Sequence, residues 1–192
     1  MVSADGYVFT KLDVPPIPSQ DESHLTYDEV RKQFIVTVKH RGPFGRSVYL
    51  SLSTDFEKWT DPELIFHADA YDQLLGEERV REHLANPRLR TMTVNQPEHY
   101  NTEIYNMPVF PYEGIYIGLP NHFEASGHAP NLNQEGVNSV KLATSRDLRR
   151  WAIVSPSFRF RRSVAAPSIS DKCGRAHVLR SMVTSFGSTT HR

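Results

Sequence analysis

A single cysteine, Cys173, occurs in the 192 residues, so no disulfide can form within the chain. No Cys/His spacing suggests structural zinc, and His67, His122 and His128 have no third partner that would complete a metal-ligand set. No apolar run approaches the roughly 18 residues needed to cross a bilayer, and no signal-like hydrophobic core follows Met1. Neither charge sign is in excess, Lys+Arg and Asp+Glu both numbering 22. A nucleic-acid or membrane-surface role, which would need spare cations, is therefore not expected. Gly-x-Ser-x-Gly is missing, which removes a serine-hydrolase elbow, and no Gly-Lys-Ser/Thr follows Gly42-Pro43-Phe44-Gly45, which reads as a hairpin turn rather than a phosphate loop. No cofactor is implied, and the cellular compartment stays open.

What is present is a repeat. Ser-x-Asp followed four residues later by an aromatic occurs three times: Ser3-Ala4-Asp5 before Phe9, Ser53-Thr54-Asp55 before Trp59, and Ser145-Arg146-Asp147 before Trp151. Val48-Tyr49-Leu50 and Val140-Lys141-Leu142 stand at equal offsets before the second and third aspartates, as alternating strands require. The first copy has no strand in front of it, so the chain is expected to begin partway through a structural unit. Because a repeat buries its apolar face only against neighbours, a larger parent protein is expected.

The zero net charge hides an asymmetry. Residues 157–192 hold seven basic side chains against one acid, Asp171, which leaves 15 basic and 21 acidic residues in 1–156. The tail also carries seven Ser and three Thr without alternation. It reads as a disordered basic tail or as sequence foreign to the fold. The expected domain is 1–156.

Within that domain, Pro15, Pro16 and Pro18 make an extended connector. Phe34–Val38 reads as a buried strand, Arg41–Gly45 as a turn, Ser47–Ser53 as the next strand and Glu63–His67 as an outer one. Residues 72–85 form a helix-compatible surface insertion that ends before Pro87. A second unit runs from Glu103 through Val109-Phe110, a turn at Tyr112-Glu113-Gly114, Ile115–Leu119, a Gly/Asn/Pro-rich loop at 120–136, a strand at Val140–Ala143, and Trp151–Val154. Short antiparallel meanders of about 40–50 residues with a periodic Trp are the pattern of β-propeller blades. Asp55 and Asp147 are expected to be structural, accepting turn backbone N–H groups, and the Trp residues to be inter-blade core.

Each complete unit also places an acid at a matching position. Asp21 lies 13 residues before Phe34 and Glu103 lies 12 before Ile115. Together with the Ser-x-Asp-x-x-x-Trp boxes, this resembles the five-bladed propeller glycosidases of glycoside hydrolase families 43 and 32, whose innermost strands open on an Asp or Glu facing the central funnel. In this chain Glu103-Ile104-Tyr105 departs from the families' Glu-Gly-Pro, and Asp21-Glu22 lacks the usual proline. The resemblance covers about residues 1–155. It implies an all-β partial five-bladed β-propeller, the end of one blade plus two full ones, with a short helical insertion.

The resemblance also implies a carbohydrate partner and, in the complete parent protein, hydrolysis of a glycosidic bond by two carboxylates. The isolated chain is expected to be incomplete, because about two and a half blades do not close the ring that positions the acids. Asp21 would be the nucleophile or base, Glu103 the proton donor, and Asp69 or Asp72 a tuner of the donor. On residue preference alone, Asp69 and Asp72 read instead as solvent or loop-capping acids. His24, Tyr105, Asn106, Tyr116 and Asn121 are the candidate substrate-binding residues, since aromatic faces stack on sugars and amides meet hydroxyls. Alternation puts Tyr116 opposite Ile115 and Ile117 and makes it a surface candidate. Two rivals stay open: a non-catalytic carbohydrate-binding or interaction propeller, and a sialidase-like one, for which Arg41 and Arg46 are the only nearby cation pair. Edge strands predict self-association.

Overall fold

The computed structural model describes residues 2–154, so the expected tail at 157–192 lies outside the described residues. The first sheet is an antiparallel meander of β1 (Ser23–Asp28), β2 (Gln33–Gly42), β3 (Gly45–Ser53) and β4 (Glu63–Phe66), in that spatial order. β2 and β3 are the long central pair, with Val36 opposite Ser51 and Val38 opposite Tyr49. Their β-branched residues supply the alternation that the sequence displays.

The second half is built from three long strands, each bent at a corner so that it serves two sheets. β5 (Asn101–Asn106) leads into β6 (Val109–Tyr112), β7 (Ile115–Gly118) into β8 (Asn121–His128), and β9 (Gln134–Val140) into β10 (Ala143–Ser145). On one side of the corners β6, β7, β10 and β11 (Trp151–Ile153) form a four-stranded sheet; on the other, β5, β8 and β9 form a three-stranded one. Pro108 and Pro120 sit at two of the corners, where a missing N–H and a fixed φ favour a bend over a ladder. Backbone bonds still cross the bend, from Leu119 N–H to Pro108 O at 3.0 Å and from Lys141 N–H to Pro120 O at 3.0 Å.

This corrects two expectations. Residues 120–136 are mostly strand, β8 and β9, rather than a loop, and residues 141–142 of the strand expected at Val140–Ala143 fall on a corner. β8 is buried along nearly all its length and carries Asn121, His122, Glu124 and Ser126 as well as apolar residues, so it shows no polar face. Gly127, at φ 140°, sits in a register shift against β9, and that bulge breaks the pattern further. All three sheets are antiparallel, and they do not close into a barrel among the described residues.

The helix α1 (Ala70–Ala85) forms, starting two residues before the expected 72–85, and lies at the surface with one face packed on the third sheet. Asp69 and Asp72 make a reciprocal capping box at its start. Its buried positions are Gly76 and Val80. A Cβ at Gly76 would overlap Thr102 Oγ1, so only glycine lets the helix approach this closely. The interface is otherwise polar: the Gln73 amide bonds both the N–H and the C=O of Thr102, and Arg79 pairs with Glu124.

The apolar core lies where the three sheets meet, with residues of the first and second sheets and Ile104 of the third. Ile35, Leu50, Ile104, Met107, Tyr116 and Leu148 are all nearly inaccessible there, each apolar side chain contributing about 1.5–3 kcal/mol by its burial. Trp151 packs against this cluster, while Trp59 stays with Phe34 and Phe56 of its own neighbourhood.

The three boxes fold alike. In each, the Ser hydroxyl donates to the Asp carboxylate, at 2.9, 3.1 and 3.1 Å. The same carboxylate then accepts two backbone N–H bonds: from Tyr7 and Val8, from Glu57 and Lys58, and from Arg149 and Arg150. The residue after each Asp is left-handed, with φ of 77° at Gly6, 66° at Phe56 and 66° at Leu148. That conformation costs a non-glycine residue about 1–2 kcal/mol, which the carboxylate bonds offset. Those bonds hold all three carboxyls below the usual range, Asp5 at about 2. The structural roles expected of Asp55 and Asp147 are the ones observed.

Candidate functional site

Asp21 and Glu103 meet the same cluster at the junction of the first and third sheets. Asp21 lies in an extended segment laced to β2, through Gln20 N–H to Lys39 O at 2.9 Å and Lys39 N–H to Ser19 Oγ at 3.2 Å. Its carboxylate pairs with the ammonium of Lys39. Glu103, on β5, is buried and receives Arg46 Nε at 3.2 Å and Asn101 Nδ2 at 3.1 Å. Gly45 makes room for it, since a Cβ there would overlap the Glu103 carboxylate.

Between the two ion pairs stands Tyr105. Lys39 Nζ lies 3.8 Å from its ring centroid and the Arg46 guanidinium 5.1 Å, the latter also 5.6 Å from Phe123. One ring thus neighbours two cations, each holding one of the two acids, and cation–π attraction of about 0.5–2 kcal/mol per contact fixes the order. Beside them opens a cleft lined by Glu22, His24, Lys39, Ser47, Tyr105 and Asn106. Its enclosed space is about 10 Å³, room for about one water, so the cleft is a shallow notch and any larger ligand must rest across its mouth or displace a side chain. Asn106 Nδ2 donates to Glu22. His24 is pushed toward its neutral form by burial, with Glu22 opposing and Lys39 reinforcing.

The other expected residues lie elsewhere. Asn121 is buried across from Asn106 in the β5–β8 pairing, at the rim of this cluster. Asp69 caps α1: its Oδ1 accepts the Asp72 N–H at 2.8 Å. Cross-strand pairing puts Thr102 with Glu124 and Ile104 with His122 on the helix side of the third sheet, and Glu103 with Phe123 on the other. The sheet therefore stands between Asp69 and Glu103. Asp72 is bonded by Lys141 Nζ at 2.7 Å and approached by His122 Nε2 at 3.5 Å. Burial opposes its ionisation, but His122 and Lys141 outweigh it and hold its carboxyl well down. His122 is itself pushed toward neutrality by burial, so Lys141 carries the local positive charge.

Tyr116 is not at the surface. It is 2% exposed, and its hydroxyl donates to Asp28 Oδ2 at 2.7 Å, tying the second sheet to the first. Alternation does hold in β7, but with the faces reversed: Tyr116 and Gly118 are buried, while Ile115 and Ile117 are partly exposed. Burial and the Asp28 carboxylate push its phenol up to about 12. For Asp28, burial works against the charge, but hydrogen bonds from Arg31 and Tyr116 win and its carboxyl stays low. Tyr116→Phe leaves that buried carboxylate one donor short. The expected loss is about 1–3 kcal/mol of stability, read as a shift of the urea midpoint at constant slope.

Glu22 and Lys39 line the cleft without having been singled out by motif reasoning, whereas Asp21, Glu103 and Arg46 stand beside it and are not among its lining residues. Lys39 was within reach, because continuing the β2 alternation past Val38 puts Thr37 and Lys39 on one face.

No family model matches the sequence, and no curated protein matches it. Among solved structures the chain is similar to an N-acetylgalactosamine deacetylase from F. plautii in complex with blood group B trisaccharide. Identity is 15% and the TM-score 0.42, over 80% of this chain and 39% of that one. The chain thus spans about two fifths of that protein's length, and a likeness at this level carries no argument about what this chain does.

Proposed function

We propose that the chain is a glycoside hydrolase-like protein, its meander sheets corresponding to propeller blades, that hydrolyses a glycosidic bond of an oligo- or polysaccharide through Asp21 and Glu103. One observation carries this reading: two acids 82 positions apart in sequence, at matching points of two units, converge on one ring across a sheet junction. In the reaction Glu103 gives a proton to the leaving oxygen as the bond from the anomeric carbon breaks. Asp21 either attacks that carbon or takes a proton from the water that does, and the water's hydroxyl ends on the anomeric carbon. Arg46 must withdraw from Glu103 for the proton to be given, and Gln134 is already bonded to the same guanidinium as a second partner. His24, neutral, and Asn106 are placed to bond sugar hydroxyls. Asp69 has no contact role in this scheme.

The test is incubation of the full chain with a panel of plant and algal glycans, followed by assay of reducing ends. Release by the wild-type chain, lost in Asp21→Asn while glycan binding persists, is the expected result; a panel without any release overturns hydrolysis. A second reading, a non-catalytic carbohydrate-binding propeller, is favoured by the two ion pairs, which keep both acids occupied by cations. Under it, Asp21→Asn alters glycan affinity and no reducing ends form with either protein.

A further inference from the structure

We propose that the cleft selects a sugar residue bearing a carboxylate, a uronic acid, and that Asp21 occupies the place on Lys39 which that carboxylate takes; this rests on the cleft being the carbohydrate site. The asymmetry of the Lys39–Asp21 pair carries the inference. Lys39 is 3% exposed and Asp21 49%. A buried ammonium on a central strand is retained at a desolvation penalty that an apolar side chain of similar size would avoid. Displacing the pair is one-sided: Asp21 is already half in water and rehydrates readily, whereas Lys39, pinned over the Tyr105 ring, cannot leave.

Glu22 in the cleft and Glu103 beside it do not compete for that ammonium on equal terms. Glu22 holds the Asn106 amide, and Glu103 holds Arg46 and Asn101. Lys39 is therefore the cation available to an incoming anion. His24 Nε2, buried on the cleft wall without a hydrogen-bond partner in the structure, faces the same space and suits a hydroxyl or a carboxylate oxygen. With three acids against two cations in the cluster, a monoanion gains only by exchange with Asp21. That exchange also frees the Asp21 carboxylate for the anomeric centre. A neutral sugar leaves the pair intact and gains nothing from Lys39.

The experiment is calorimetric titration of the full chain with three probes: a glucuronate- or galacturonate-terminated oligosaccharide, its neutral hexose counterpart of the same linkage, and acetate. The uronate is expected to bind at least about tenfold tighter than the hexose, the lower end of what a charge-assisted hydrogen bond contributes. Acetate is expected to bind far more weakly than either sugar. Lys39→Met, isosteric and apolar, erases the difference between the sugars. Asp21→Asn, whose amide oxygen can still accept from the Lys39 ammonium and which keeps the test valid if Lys39→Met fails to fold, tightens the uronate several-fold by removing the competing charge. Equal affinity for the two sugars overturns the proposal and leaves the cleft reading standing; binding of neither sugar overturns both. Acetate binding as tightly as the uronate, or Asp21→Asn weakening the uronate, also overturns it.

Discussion

Glu103→Gln is expected to slow glycosidic cleavage by about 10²–10⁴-fold, the usual worth of a positioned general acid, while glycan affinity changes by no more than a few-fold. The substitution keeps the shape, and the side-chain oxygen can still accept the Asn101 amide. What it removes is the transferable proton and the charge that faces Arg46. Arg46 retains Gln134 and is partly exposed, so the fold tolerates the change. The role in proton donation has its own signature: aryl glycosides with good leaving groups, which need little protonation, should recover most of the rate. A uniform loss across leaving groups would make Glu103 a binding residue, and an unchanged rate would remove it from the chemistry.

Arg79→Ala should be the most damaging single change to stability. Glu124 has no exposed side-chain surface, and its partners are Arg79 and Ser139, the latter at 3.0 Å. Taking away the guanidinium leaves a buried carboxylate without its counter-charge, a loss of about 3–5 kcal/mol at neutral pH. Burial pushes the Glu124 carboxyl upward, with Arg79 opposing. Its folded-state pKa thus lies above the unfolded one, and the native state is the better proton acceptor in between. The damage should shrink as pH falls through that window, because protonation removes the unpaired charge. Denaturant titrations at pH 8 and pH 5 decide it. A deficit that is pH-independent or under about 1 kcal/mol would show that water or a side-chain shift relieves Glu124. Replacing Arg79 and Glu124 together by methionine should restore much of the loss, since it is the orphaned charge that costs.

How far the sequence reveals this molecule depends on where its polar groups sit. The first sheet is readable because β2 and β3 are apolar and β-branched, and because Gly42–Gly45 closes them with turn chemistry. The boxes are readable for a different reason: a serine, an aspartate and an aromatic are tied by local hydrogen bonds that recur wherever the motif does. β8 and β9 hide because polar side chains are buried under α1, Glu124 meeting Arg79 and Ser139 there, so Glu124 and His122 look like loop residues while being among the most buried described residues. The helix hides its docking for the same reason, meeting the sheet through Gln73, Gly76 and Arg79 instead of an apolar stripe. Beside the cleft, Asp21 and Glu103 could be picked out from their matching places in two units. Lys39 could be placed on the face of Thr37 by alternation, but that it meets Asp21, and Arg46 Glu103, could not be read, because the partner of each lies on another segment of the chain.

The bent strands have a consequence for how the second half comes apart. Since β5–β6, β7–β8 and β9–β10 each run through both sheets, no flexible linker separates the helix-covered layer from the layer holding Trp151. A fluctuation that opens one must drag three peptide chains around the corners at residues 107–108, 119–120 and 141–142. Amides of the two layers should therefore exchange with solvent as one cooperative block. Cuts or insertions would be absorbed at the hairpin tips, 112–114 and 129–133, where chain reversal alone is at stake. At the corners the same edit would uncouple everything beyond it.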